Sequence, residues 1–243
     1  MSWEVSVSDD QRLVVPGELI AKKNEKLKLN PRSYMYVYVI DDKIYAAVPA
    51  VVTIRDGEVN VIPLESTYIP KQGDLVIGLV RTYMISHWEL DINAPYPGVL
   101  HASNVLGRPF IPGKDELKEY LDIGDYVLAK VESFNRLKDP VLSVRGDKKL
   151  GKITHGKIIE IEPSRIPKVI GRKGSMLNII KGDTGCEVEV AVNGRIWISC
   201  PNEELEDIVT LAIKLIEKEA FTKKLAEKVR VLIADEKHER GLI

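Results

Sequence analysis

Four residues, Gly171-Arg172-Lys173-Gly174, have the types and the spacing to hold a phosphate. Glycines let a backbone pass close to an anion because no Cβ intervenes. Two cations sit between them, where the chain is most open. Apolar residues precede the loop at Val169-Ile170 and recur after it at Met176, Leu177, Ile179 and Ile180, at helical spacing. A helix starting just after the loop would aim free N–H groups and the positive end of its dipole at an anion. The chemistry on offer is capture of a phosphate backbone. Other reactive types are sparse. The four histidines, His87, His101, His155 and His238, stand in unrelated settings, and no Gly-rich nucleotide loop or helical metal-ligand motif is present. The pairs Asp9-Asp10 and Asp41-Asp42 read as solvated turns. No catalytic residue, metal or cofactor is expected.

The elements around the loop give it an identity. Strand-like runs lie on either side, at 157–162 and 187–192, with short helical runs at 163–170 and 175–181. Strand, helix, Gly-x-x-Gly loop, helix, strand is the order of a KH domain, which this segment resembles; that resemblance implies a clamp on a few single-stranded nucleotides. Charge agrees: residues 147–200 hold ten Lys or Arg against six Asp or Glu, whereas residues 1–70 hold eight against ten. The overall formal charge of −1 makes any basic surface local. Asn193-Gly194 predicts a hairpin returning through 195–199. Trp197, between two isoleucines, reads as packed rather than as a base-stacking surface. Asn202 caps a long helix with Leu205, Ile208, Val209, Ala212, Leu215 and Ile216 in one stripe, and Phe221-Thr222 marks a bend before a second helical run. The short linker near Gly146-Asp147 leaves room for the glycine loop to be partly covered by the preceding domain.

Upstream, strand patterns at 73–83, 86–92, 96–103, 124–134 and 140–144 suit a five-stranded OB-type barrel. Gly73-Asp74 with Gly78 and Val80, then Gly98-Val99-Leu100-His101-Ala102-Ser103, then Gly124-Asp125-Tyr126-Val127 with Lys130-Val131 and Leu142-Ser143, are similar to the S1 RNA-binding domain. That resemblance implies base stacking by His101 and Trp88. Arg81, Arg108, Arg136, Lys138 and Arg145 lie near strand ends or loops and could line a phosphate path. The sequence departs from the S1 pattern at Tyr83-Met84-Ile85-Ser86, so one stacking aromatic is missing.

The first 68 residues read as short strands and turns, with Asp56-Gly57 as a hairpin signal. Tyr34, Tyr36 and Tyr38 alternate and are expected on one face of a strand, as a half-buried sheet surface or as a contact for a partner protein. Cys186 and Cys200 lack ligand spacing and read as buried small hydrophobes rather than a disulfide, which suits a reducing cytoplasm. No apolar run nears the roughly 18 residues of a membrane span. The fold class is multidomain, mainly β with α+β: an all-β N-terminal domain (1–68), an S1 (OB-fold) barrel (69–146) and a KH domain with C-terminal helices (147–243).

This order of modules, with the opening Leu13-Val14-Val15-Pro16-Gly17-Glu18, resembles the RNA-binding cap subunit of the archaeal exosome, in the ribosomal-RNA-processing protein four family. Membership implies a non-catalytic subunit that binds single-stranded RNA. It implies three copies on a hexameric ring of RNase PH-like subunits, docked through their N-terminal domains, with S1 domains around the pore. The alternative is a ribosome-associated or translational S1/KH factor with no ring.

Overall fold

The computed structural model describes residues 11–22, 27–55, 57–65, 67–135, 137–222 and 224–242, apart from the Arg32 side chain. Two β-branched runs near the N-terminus fold back on one another as β6 (Ala50–Arg55) and β7 (Glu58–Pro63). Arg55 faces Glu58 across the turn, and Gly57 takes the positive φ that the turn needs. The register makes β6 pair antiparallel with β1 (Gln11–Val14), while β3 (Lys28–Leu29) runs parallel to β7. A second sheet has β5 (Lys43–Ala46) between β2 (Leu19–Lys22) and β4 (Val37–Ile40). Val14, Ile20, Ile44, Ala46, Ala50, Val52, Val59 and Val61 fill the space between the sheets.

The tyrosine strand is shorter than expected. Pro31–Tyr36 forms a 3-10 helix, so Tyr34 and Tyr36 do not share a strand face with Tyr38. Proline at the first helical position favours that turn. Tyr34 is 62% exposed, Tyr36 packs on the core, and Tyr38 stacks on Tyr45 across the strand pair at 5.4 Å.

The second unit is a closed barrel: β8 (Leu75–Tyr83), β9 (His87–Asp91), β10 (Gly98–His101), β11 (Tyr126–Asn135) and β12 (Lys138–Ser143). The order β12-β10-β9-β8-β11 closes through pairing of β11 with β12. Alternation along β9 points Trp88 and Leu90 inward and His87, Glu89 and Asp91 outward. Gly98 is required by packing, since a Cβ there would lie 2.6 Å from Leu142 Cδ1. The expected third strand stops at His101 and turns into α1 (Ala102–Leu106), whose Asn104 accepts from Val144 N–H at 2.8 Å and so ties this corner to the end of β12. Beyond the expected boundary at 146, β13 (Gly151–Ile153) still pairs with β11.

The third unit has β14 (Lys157–Glu160), α2 (Ile166–Ile170), α3 (Ser175–Thr184), β15 (Glu187–Val190), β16 (Arg195–Ser199), α4 (Glu203–Lys218) and α5 (Leu225–Glu239). Its sheet order is β14-β16-β15. The inward residues Ile159, Val188, Ile196 and Ile198 pack under α2, α3 and α4, and Leu225, Val229 and Ile233 of α5 join the same core. The Asn202 side chain caps α4 by accepting from Leu205 N–H at 2.9 Å, as expected. Cys186 and Cys200 form a disulfide, which corrects the reading of them as separate buried thiols. The β15–β16 register, with Glu187 opposite Ser199, sets the two cysteines at the next facing position. Sequence spacing alone could not reveal that register.

Candidate nucleic-acid interface

The glycine loop joins α2 to α3. Gly171 has φ 74° and Gly174 φ 78°, and between them Lys173 also adopts a left-handed backbone at φ 53°. A Cβ on Gly171 would sit 2.6 Å from Met176 N, so the turn excludes any other residue. Arg172 and Lys173 are exposed. Among the described residues neither carries a hydrogen bond or an ion pair. The loop therefore offers two unpartnered cations at the positive end of the ten-residue helix α3. It is not covered by the barrel; the third unit meets the barrel through a different loop.

On the barrel, His101 lies outward at the end of β10, opposite His87 of β9, with ring centroids 5.8 Å apart. Trp88 is a correction. Its side chain is 0% exposed and its Nε1 donates to Leu121 O at 3.0 Å, so no ring face is left for a base. The period-two pleat explains it: if His101 and His87 face out, Trp88 must face in. The cations also divide. Arg108 is bound to Asp115 by two hydrogen bonds of 2.8 and 2.6 Å, and that pairing holds the Asp115 carboxyl down at about 2. Arg81 donates to Asp91 Oδ2 at 2.9 Å. Arg145 donates to the backbone oxygens of Ser103 and Asn104. Lys138 is exposed on β12. Arg136 lies outside the described residues, as do Asp9 and Asp10. Arg81, Arg108 and Arg145 are thus committed to structural partners, leaving Lys138, Arg172 and Lys173 as the free cations of this set among the described residues.

What sequence reading missed is the seam between barrel and third unit. Asn193, which reads as the corner of an Asn-Gly hairpin, is 0% exposed. Its Nδ2 donates to Ile77 O and to Ile92 O, both at 2.9 Å, and its Oδ1 accepts from Ile77 N–H at 3.3 Å. Asn93 returns a bond to Asn193 O at 2.8 Å. Arg195, 4% exposed, donates to Asp91 O at 2.5 Å and Ile77 O at 3.2 Å, and pairs with Glu160 at 2.7 Å. Ile77, Leu128 and Ala191 close the apolar part of this seam, with Trp197 packed against it and donating to His155 O at 2.7 Å. Nothing in the local pattern marks Asn193, because its partners are more than 100 residues away in the chain. A second seam joins the N-terminal unit to the third. There Val51 and Leu64 pack on Ala220 and Phe221, Arg165 donates to Leu64 O at 3.1 Å, and its guanidinium lies 4.6 Å above the Phe221 ring. Burial, then the Arg165 and Arg55 charges, lower the Lys168 ammonium's affinity for its proton.

Residues 11–65 match the family described as exosome RNA binding protein RRP4 N-terminal domain, and residues 156–204 match the KH domain family. The chain is 44% identical to exosome complex component Rrp4 of Ignisphaera aggregans, covering 98% of this chain and 96% of that protein. The chain belongs to the Rrp4 family of exosome complex components. The Rrp4 protein of Thermosphaera aggregans is 42% identical over 96% of this chain and 94% of its own length. A crystal structure of a protein assigned as an exosome complex RNA-binding protein superposes with a TM-score of 0.69 at 46% identity, covering 72% of this chain and 99% of that one. The Rrp4-type N-terminal match spans β1 to β7, and the KH match runs from the start of β14 to the first turn of α4. Expected fold and family thus agree with the structure and with these relatives.

Proposed function

We propose that this chain is a non-catalytic RNA-binding subunit of the exosome, which captures single-stranded RNA and delivers it to a degrading ring. The observation that carries the reading is the pair of exposed, unpartnered cations Arg172 and Lys173 on a loop whose glycine backbone opens toward α3. Such a loop holds phosphates without reading bases. His101 adds a ring on the barrel face for sequence-tolerant stacking. No helix among the described residues is long and apolar enough to cross a membrane.

Docking on the ring is assigned to the N-terminal unit. Tyr34 and Met35 on the 3-10 helix, and Val39 and Ile40 on the adjoining edge strand β4, are 62, 55, 46 and 54% exposed and offer apolar side chains to a partner. Three copies around a hexamer of RNase PH-like subunits would multiply weak RNA binding through effective concentration. The deciding experiment mixes the protein with the two ring subunits and measures native mass and RNA retention against salt. The expected result is a three-copy complex whose RNA affinity falls with a log–log slope of roughly −0.7 per phosphate neutralised. A chain that binds RNA but never joins the ring overturns the cap reading; salt-independent binding overturns the phosphate clamp.

A further inference from the structure

His87 and His101 face one another across β9 and β10. Ala102 N–H donates to Ser86 O at 2.9 Å, so 86 and 102 are a hydrogen-bonded pair. The neighbouring pair 87 and 101 is then a non-hydrogen-bonded one, the kind that brings facing side chains closest. The ring centroids are 5.8 Å apart and tilted by 60°. Among the described residues neither imidazole has a hydrogen bond or an ion pair. Both therefore keep their ring nitrogens available. The strands beneath are rigid, because Trp88 and Leu100, the next facing pair, are both 0% exposed in the barrel core.

Two imidazoles that share one ion at metal–nitrogen distances of about 2 Å have centroids about 5 to 6 Å apart. The observed separation of 5.8 Å lies within that range. We propose that His87 and His101 form a two-imidazole chelate for a divalent late first-row transition ion, with zinc, nickel and copper as the fitting class. Imidazole pairs favour these ions over magnesium or calcium, which need oxygen ligands. Among the described residues no group of three or more His, Cys, Asp or Glu is placed to hold a metal. The chelate therefore leaves its remaining positions open to water or to a phosphate oxygen, on the outward face of the barrel.

The test is isothermal titration of untagged, full-length protein with zinc chloride and separately with magnesium chloride. The expected result is one zinc site per chain and no magnesium site. His87→Gln and His101→Gln should each weaken zinc by at least about tenfold, the loss that removal of even an outer-shell partner causes. His155→Gln should leave zinc binding unchanged. His101→Cys keeps a ligating atom and should retain zinc, which separates loss of a ligand from loss of fold. No zinc site in the wild type, or equal affinity in wild type and His87→Gln, overturns the proposal.

Discussion

At the residue scale, exposure decides which cations are free to meet an anion. Arg108 and Arg172 look equivalent in the sequence, yet one is held by a carboxylate and the other by nothing among the described residues. The Asp115 side chain is 4% exposed, and Arg108 with the Ile111 N–H keeps its carboxyl at about 2. Its folded value lies below the ordinary carboxylate value, so the contribution to stability is present at neutral pH and is lost as pH falls through about 2. Arg108→Ala should raise the Asp115 titration midpoint toward the ordinary range, read by carboxyl NMR, without changing RNA affinity. Arg172→Ala with Lys173→Ala should weaken RNA retention and flatten the salt slope by about 0.7 for each phosphate that is no longer neutralised. An unchanged slope would make the loop architecture rather than clamp. Trp88→Ala should unfold the barrel rather than selectively weaken RNA, since truncating a buried tryptophan costs about 3 to 5 kcal/mol.

At the element scale, the β15–β16 hairpin does two jobs. Its open end is stapled by Cys186–Cys200, and its tip inserts Asn193 into the barrel. A disulfide with sequence separation 14 stabilises by about 3 kcal/mol in the chain-entropy account. Reduction with dithiothreitol should therefore lower the thermal midpoint, and a Cys186→Ala/Cys200→Ala chain should show the lower midpoint with or without reductant. Asn193→Ala would take the Asn193 partner from the Ile77 N–H and from Ile92 O inside the seam, while Ile77 O keeps Arg195 as a donor. Each unsatisfied buried group costs about 1 to 3 kcal/mol, so a clear drop in denaturant midpoint is expected. Faster proteolysis between residues 146 and 156 should accompany it as the third unit swings free of the barrel.

At the scale of the whole molecule, both seams argue against treating the three units as independent. Removing residues 1–68 would uncover Phe221 and leave Arg165 without Leu64 O, so a truncation would confound docking with folding. Point changes at exposed side chains separate them: Met35→Asp with Ile40→Asp, 55 and 54% exposed, should abolish assembly with the ring, by native mass, while thermal midpoint and RNA affinity stay at the wild-type level. The sequence by itself determined the three units, the glycine loop and the α4 cap. Each is written in local spacing: period two in the strands, 3,4 spacing in the helices, glycine where φ is positive. It did not determine how the tyrosine segment splits, because proline-led 3-10 turns and short strands share one composition. It also left open the cysteine pairing, the burial of Trp88 and the role of Asn193. Those depend on register and on the meeting of residues far apart in the chain, which happens only once the strands have paired and the third unit has closed on the barrel.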